Sequence, residues 1–171
     1  MLGSAAHRHA AAAPPAEVAG QLNRRFPLDE ATGQFFTLLY GILNARTGEL
    51  RYVSAAHPGP VYLPQGGSPT VLIGSGLPIG IADGGYREQV LTLRPGDRLY
   101  LYTDGLAEAV NDAGEQYGKR RFLEVLQEGR GADLDAGLSA LWQDVCRWCG
   151  APPRDDVSLL AVEFVGPEPS P

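Results

Sequence analysis

The sequence predicts an α+β layered domain, with antiparallel strands grouped early and amphipathic helices packed outside them. Three observations predict it. Runs rich in β-formers, separated by short Gly, Pro and Asp turns, fill residues 34–104. Two segments with apolar residues three and four apart follow, at about 119–129 and 133–149. A last apolar run, Val157–Val165, returns as a strand. With 171 residues the chain is long enough for one domain with a core of its own. We take residues 1–165 as that domain and 166–171 as a flexible tail.

Residues 1–13 are alanine-rich and helix-favouring, but they begin without a capping residue, as though a helix were entered partway along. After Pro14, a helix through Ala16–Phe26 carries Val18, Leu22 and Phe26 at a spacing of four, with Pro15 suited to its first turn and Pro27 ending it. Gln34–Asn44 and Leu50–Ala55 read as a hairpin about the turn Arg46–Glu49. Val61–Leu63 is a further short strand, and the Gly- and Pro-laced stretch 70–81 reads as an ordered, packed loop. Arg87–Leu93 alternates, Arg94-Pro-Gly-Asp97 is a turn, and residues 98–104 are expected to be the antiparallel partner of 87–93. In that strand Leu99 and Leu101 take one face, Tyr100 and Tyr102 the other. Residues 106–118 are polar and turn-rich. In the helices that follow, Phe122, Val125 and Leu126, then Leu134, Leu138, Leu141, Val145 and Trp148, give each one face to bury.

Composition excludes several classes. A net charge of −6 and a pI near 5.0 argue against nucleic acid, whose phosphates are bound by clustered Lys and Arg. Lys119 is the only lysine. The mean hydropathy of −0.13 and the lack of a long apolar run give no sign of a membrane span or a signal peptide, so the expected location is cytoplasmic. Cys146 and Cys149 could suggest a redox pair or half of a zinc site, but they close a helix rather than open one, and no second pair completes a zinc tetrad.

The chemistry concentrates on acids at strand ends. Asp104-Gly105 stops the run Arg98–Thr103, and Asp155-Asp156 precedes the last strand. If that strand runs antiparallel to 98–104, the acids meet on one rim of the sheet. Oxygen ligands of this kind suit Mg²⁺ or Mn²⁺. Neighbouring residues of a regular strand face opposite ways, so at most one of Asp155 and Asp156 is expected to be a direct ligand. A turn or capping role accounts for the same residues without a metal.

The ordered set Phe35-Phe-Thr-Leu-Leu-Tyr-Gly41, Ala55-Ala-His-Pro-Gly-Pro60, Gly76-Leu-Pro-Ile-Gly80, Pro95-Gly-Asp-Arg-Leu-Tyr-Leu-Tyr-Thr-Asp-Gly105 and Arg154-Asp-Asp-Val-Ser-Leu-Leu160 resembles the PP2C-type serine/threonine phosphatases of the bacterial SpoIIE and RsbU group. The resemblance implies an α-β-β-α sandwich of antiparallel sheets flanked by helices, with a two-metal Mn²⁺ or Mg²⁺ site. In that family metal-activated water hydrolyses phosphoserine or phosphothreonine in a partner protein. It implies metal-binding roles for Asp104 and Asp155, turn or supporting roles for Gly105 and Asp156, and a structural His-Pro turn at His57, whose imidazole is the other candidate for a general acid. A STAS-type anti-anti-sigma factor is the kind of substrate implied, with neither nucleic acid nor membrane as partner and a dimer allowed.

The family's first metal motif, an Asp-Val-Ser-Gly-His-Gly-like stretch, has no counterpart in this chain. His7 and His9, two apart in a helical stretch, fall on different faces and do not replace it. The expectation is a domain whose N-terminal strands and bridging acid are missing, with catalysis by this chain alone in doubt. Two readings of different class follow: a metal-dependent protein phosphatase, and a non-catalytic interaction or regulatory module on the same fold. A redox protein built on Cys146 and Cys149 is a third, and it requires a low thiol pKa.

Overall fold

The computed structural model describes residues 12–28, 33–74, 76–82 and 85–167. Four layers stack in the order helix, sheet, sheet, helices, as expected for the α-β-β-α class. Helix α1 (Pro15–Arg25) covers a three-stranded sheet of order β1-β2-β5, made of β1 (Leu38–Leu43), β2 (Glu49–Ala55) and β5 (Gln89–Thr92). A four-stranded sheet of order β4-β3-β6-β7 lies behind it, made of β4 (Thr70–Val71), β3 (Val61–Leu63), β6 (Arg98–Tyr102) and β7 (Leu159–Glu163). Helices α2 (Asp104–Glu108), α3 (Gly118–Glu128) and α4 (Leu134–Cys149) close the far face. The alanine-rich stretch expected to be helical, with His7 and His9, falls outside the described residues but for its last positions, as does most of the tail.

Each interlayer space is filled by a pattern visible in the strands. Val53 and Ala55 of β2 point to α1 and pack with Ala19 and Ile79. Leu50 and Tyr52, on the other face of the same strand, meet Leu93, Leu99 and Phe164 between the sheets. Strand β6 repeats the alternation: Leu99 faces the first sheet, while Tyr100 and Tyr102 join Leu106, Phe122, Leu126, Leu141 and Val145 under the helices. Both β2 and β6 are therefore covered on both faces.

Two expectations are corrected. Residues 87–93 and 98–104 do not form a hairpin: β5 pairs with β2 in one sheet, and β6 pairs with β3 and β7 in the other. The turn itself is present, since the Arg94 N–H donates to the Asp97 carboxylate at 2.8 Å and the Asp97 N–H to the Arg94 carbonyl at 2.9 Å. Its arms diverge because the Leu93 N–H bonds the Gly48 carbonyl, whereas Asp97 and Gly96 exchange bonds with Phe164. The turn thus carries the chain from one sheet to the other. Asp104 is likewise not a strand residue but the first residue of α2, and the stretch after Gly105 starts as helix before it becomes turns.

Candidate functional site

The strand pairing that positions the acids is the one the sequence suggested. Strands β6 and β7 are antiparallel with Tyr102 opposite Leu159, and the pairing continues one step further, where the Thr103 N–H donates to the Ser158 carbonyl at 3.1 Å. The Thr103 hydroxyl accepts from the Ser158 N–H at 2.9 Å and donates to the Asp156 carbonyl at 3.4 Å. Beyond this clasp the two chains turn apart. Asp104 opens α2, its carboxylate accepting from the Gly105 N–H at 3.0 Å. Residues 154 and 155 form a bend ahead of β7.

Gly105 holds the two segments together. A Cβ on this residue would lie 2.6 Å from the Asp156 carbonyl oxygen and 3.7 Å from the Asp155 Cβ, so the start of α2 rests directly on the 155–156 backbone. Asp104 and Asp155 are exposed on either side of this contact. Asp156 takes part through its main-chain carbonyl.

Two cavities flank the contact. The larger, about 750 Å³, is bounded by the 56–59 and 71–74 loops on one side and by Asp104, Glu108 and Lys119 on the other. His57 lines it, with Nδ1 3.2 Å from the Thr37 hydroxyl, while its carbonyl accepts from the Ser54 hydroxyl at 2.8 Å. The second, about 460 Å³, is bounded by Glu108, Asp112, Cys149, Arg154 and Asp155. Asp104 and His57 thus share one cavity, and Asp155 lines its neighbour.

Glu108 borders both cavities and escaped the reading of the sequence. Its signal was there: Asp104 and Glu108 stand four apart in α2, which places them one helical turn from each other on one face. Lys119, at the start of α3, was noted only as a lone lysine.

The acids at this contact do not form a closed cation site. Asp104, Glu108 and Asp155 supply the carboxylate oxygens that Mg²⁺ and Mn²⁺ prefer. Among the described residues, however, no three His, Cys, Asp or Glu side chains come close enough to hold one ion. The cysteines point away from redox chemistry. Both are free at the end of α4, and burial pushes the Cys149 thiol up, the opposite of an activated thiolate. No helix of the described residues is long and apolar enough to cross a membrane.

Comparison with known proteins gives the same placement. The model of the family Stage II sporulation protein E (SpoIIE) matches residues 1–165. Protein IcfG of Synechocystis is 28% identical over 130 residues, which are 75% of this chain and 20% of that protein. The SiaA-PP2C domain of Pseudomonas aeruginosa superposes with a TM-score of 0.74 at 27% identity, over 88% of this chain and 61% of that one. The manganese-soaked phosphatase domain of SpoIIE from Bacillus subtilis shares the fold, with a TM-score of 0.63 at 15% identity, over 91% of this chain and 67% of that one. The chain spans one fifth of its cyanobacterial relative and under two thirds of the Pseudomonas domain.

Proposed function

Starting from a chain that belongs to the SpoIIE family of PP2C-type protein phosphatases, we propose that it serves the hydrolysis of phosphoserine or phosphothreonine in a partner regulatory protein of the anti-anti-sigma kind. Asp104 and Asp155 are its contribution to a Mn²⁺ or Mg²⁺ site. The observation that carries this reading is the seating of Gly105 on the Asp156 carbonyl, which brings two acids about fifty residues apart in sequence to adjacent turns. Divalent ions in such a site activate water and offset phosphoryl charge. The protein's own part is to fix the acids: the Thr103 clasp sets the strand ends, and Gly105 sets the approach of α2.

The second reading keeps the fold and the partner surface without turnover. It is favoured by one observation, the absence among the described residues of three metal-ligating side chains grouped together. Under it, the acids bind a cation weakly or through groups supplied from outside this chain.

Calorimetric titration with Mn²⁺, paired with phosphate release from a phosphoserine peptide, separates the two. Turnover that is lost in both Asp104→Asn and Asp155→Asn supports the phosphatase. Phosphopeptide binding without Mn²⁺ uptake or turnover supports the binding module. Turnover that survives both substitutions rules out the assignment of the acids.

A further inference from the structure

Large apolar side chains collect in solvent at one corner of the molecule, where the end of α1, the approach to β1 and the 76–81 loop meet. Phe26, Leu28, Phe35, Phe36, Leu77 and Ile81 are 38–54% exposed. Backbone bonds gather them. The Leu28 N–H donates to the Gly80 carbonyl at 2.8 Å, and Phe36 and Ile79 exchange N–H···O bonds at 3.3 and 2.8 Å. Each of the six side chains belongs to a residue within two positions of one of those contacts. The rings of Phe26 and Phe36 meet edge to face with centroids 5.9 Å apart. The seat beneath them is firm: a Cβ on Gly80 would lie 2.8 Å from the Phe26 carbonyl oxygen, and Ile79 packs on Ala19 and Val53 under α1.

Neither the core nor the candidate site uses these groups. Taking about 200 Å² for a whole side chain of this size, the six together expose about 500 Å², the upper end of what an ordinary monomer leaves bare in one patch. A stable interface covers about 800 Å² on each partner, so the six would supply about three fifths of one before the rim adds any apolar atoms. That composition is the one of homodimer interfaces, whereas a partner that comes and goes is met by a more polar surface. Arg25, the charged residue next to Phe26, has its guanidinium 6.0 Å from the centre of that ring, and a cation set over an aromatic face does not depend on an acid from a partner. An apolar patch without a pattern of charge is complementary to itself.

We propose that this corner is the interface through which two copies of the chain pair about a twofold axis, laying Phe26 and Phe36 of one copy against the same rings of the other. In such a contact each patch covers its mate, so assembly stops at the dimer. Phe36 is followed by Thr37, whose hydroxyl meets His57 on the wall of the larger cavity. The interface thus adjoins the His57 side of that cavity, across from Asp104 and Glu108.

Sedimentation equilibrium of the full chain, from about 1 to about 200 μM, is expected to show a dimer with a micromolar dissociation constant, at twice the chain mass of 18.2 kDa. Phe36→Asp and Leu77→Glu are each expected to weaken it about tenfold or more. Trp142→Gln, at an exposed position on α4 in the opposite outer layer, is expected to leave it unchanged. Melting curves establish that the variants fold. Hydrogen exchange of the unaltered chain, dilute against concentrated, needs no variant: protection is expected to rise at residues 26–28, 35–37 and 76–81.

A monomer throughout that range, a mass that grows past the dimer, a dimer that both folded variants leave intact, or protection confined to other segments would overturn the proposal. Mass and exchange are read without metal or phosphate release, so the proposal and the phosphatase reading fail separately.

Discussion

The carbonyl oxygen of Asp156 lies 2.6 Å from the point where a side chain on Gly105 would begin. In an open helical position, glycine to alanine gains about 1 kcal/mol. At Gly105 the sign reverses, because the obstacle is backbone that cannot rotate away. Gly105→Ala is expected to cost about 1–3 kcal/mol, read by urea denaturation. It should also lower Mn²⁺ uptake by moving α2 away from the 155–156 bend.

Asp144 is the polar centre of the helical layer. Its carboxylate receives Arg121 Nε and Nη2 at 2.9 and 3.1 Å and the Tyr117 hydroxyl at 2.9 Å. The Arg121 guanidinium also lies over the Trp148 ring, 4.8 Å from its centroid. Asp144→Leu should destabilise by about 1–3 kcal/mol, since it strands the Tyr117 hydroxyl as well as breaking the ion pair. Adding Tyr117→Phe to that variant should recover part of the loss, a coupling that a double-mutant cycle measures.

Stability should depend on pH from both ends. Asp144 is held below the usual carboxylate value, chiefly by its hydrogen bond from Arg121. Burial pushes Asp97 upward, but the N–H groups of Arg94 and Gln65 and the Tyr62 hydroxyl outweigh it and hold it low. A carboxyl depressed by folding stabilises fully above its ordinary value, 3.8 for aspartate, and the gain is lost as pH falls through the lower folded value. Tyr62 runs the other way: burial first, then Asp97, pushes it from 10.0 up to about 12. Its contribution is complete below pH 10.0 and is lost as pH rises toward about 12. Unfolding midpoints followed across pH should show both flanks. Asp97→Asn should flatten the acid flank, and Tyr62→Phe the alkaline one.

Asn23 ties α1 to the rest. It is 8% exposed; its side-chain oxygen accepts from the Gly80 N–H at 2.8 Å and the Tyr86 hydroxyl at 3.1 Å, and its amide donates to the Ala82 carbonyl at 3.1 Å. Asn23→Leu leaves three groups without partners and should destabilise by about 1–3 kcal/mol. Hydrogen exchange should quicken first in α1 and around Gly80. If it quickens equally everywhere, α1 does not open as a separate unit.

Much of this arrangement is legible in the sequence because it follows from local period. Leu99 and Leu101 against Tyr100 and Tyr102, and the three- and four-residue stripes of α3 and α4, assign their own faces. The antiparallel match of β6 with β7 could be stated as a condition and is met. Where the reading failed, local chemistry was neutral between outcomes. Arg94-Pro-Gly-Asp97 makes the same turn whether its arms pair or part, and the bond from Leu93 to Gly48, which decides the matter, joins residues distant in sequence. Helix α2 has five residues, too few for a period to declare itself. Glu108 was concealed by the same shortness. That Lys119 borders the same cavity as Asp104 depends on how α3 packs on α2, which no spacing encodes.

The clasp between Thr103 and Ser158 also has a bearing on the order of folding events. It closes a loop of about fifty residues that contains all of α3 and α4, and closing such a loop carries an entropic cost that local helices do not. The helices can form early; the two acids become neighbours only when β7 docks. Metal uptake or phosphopeptide binding at this rim would therefore report, in a refolding experiment, the completion of the last long-range pairing rather than the collapse that precedes it.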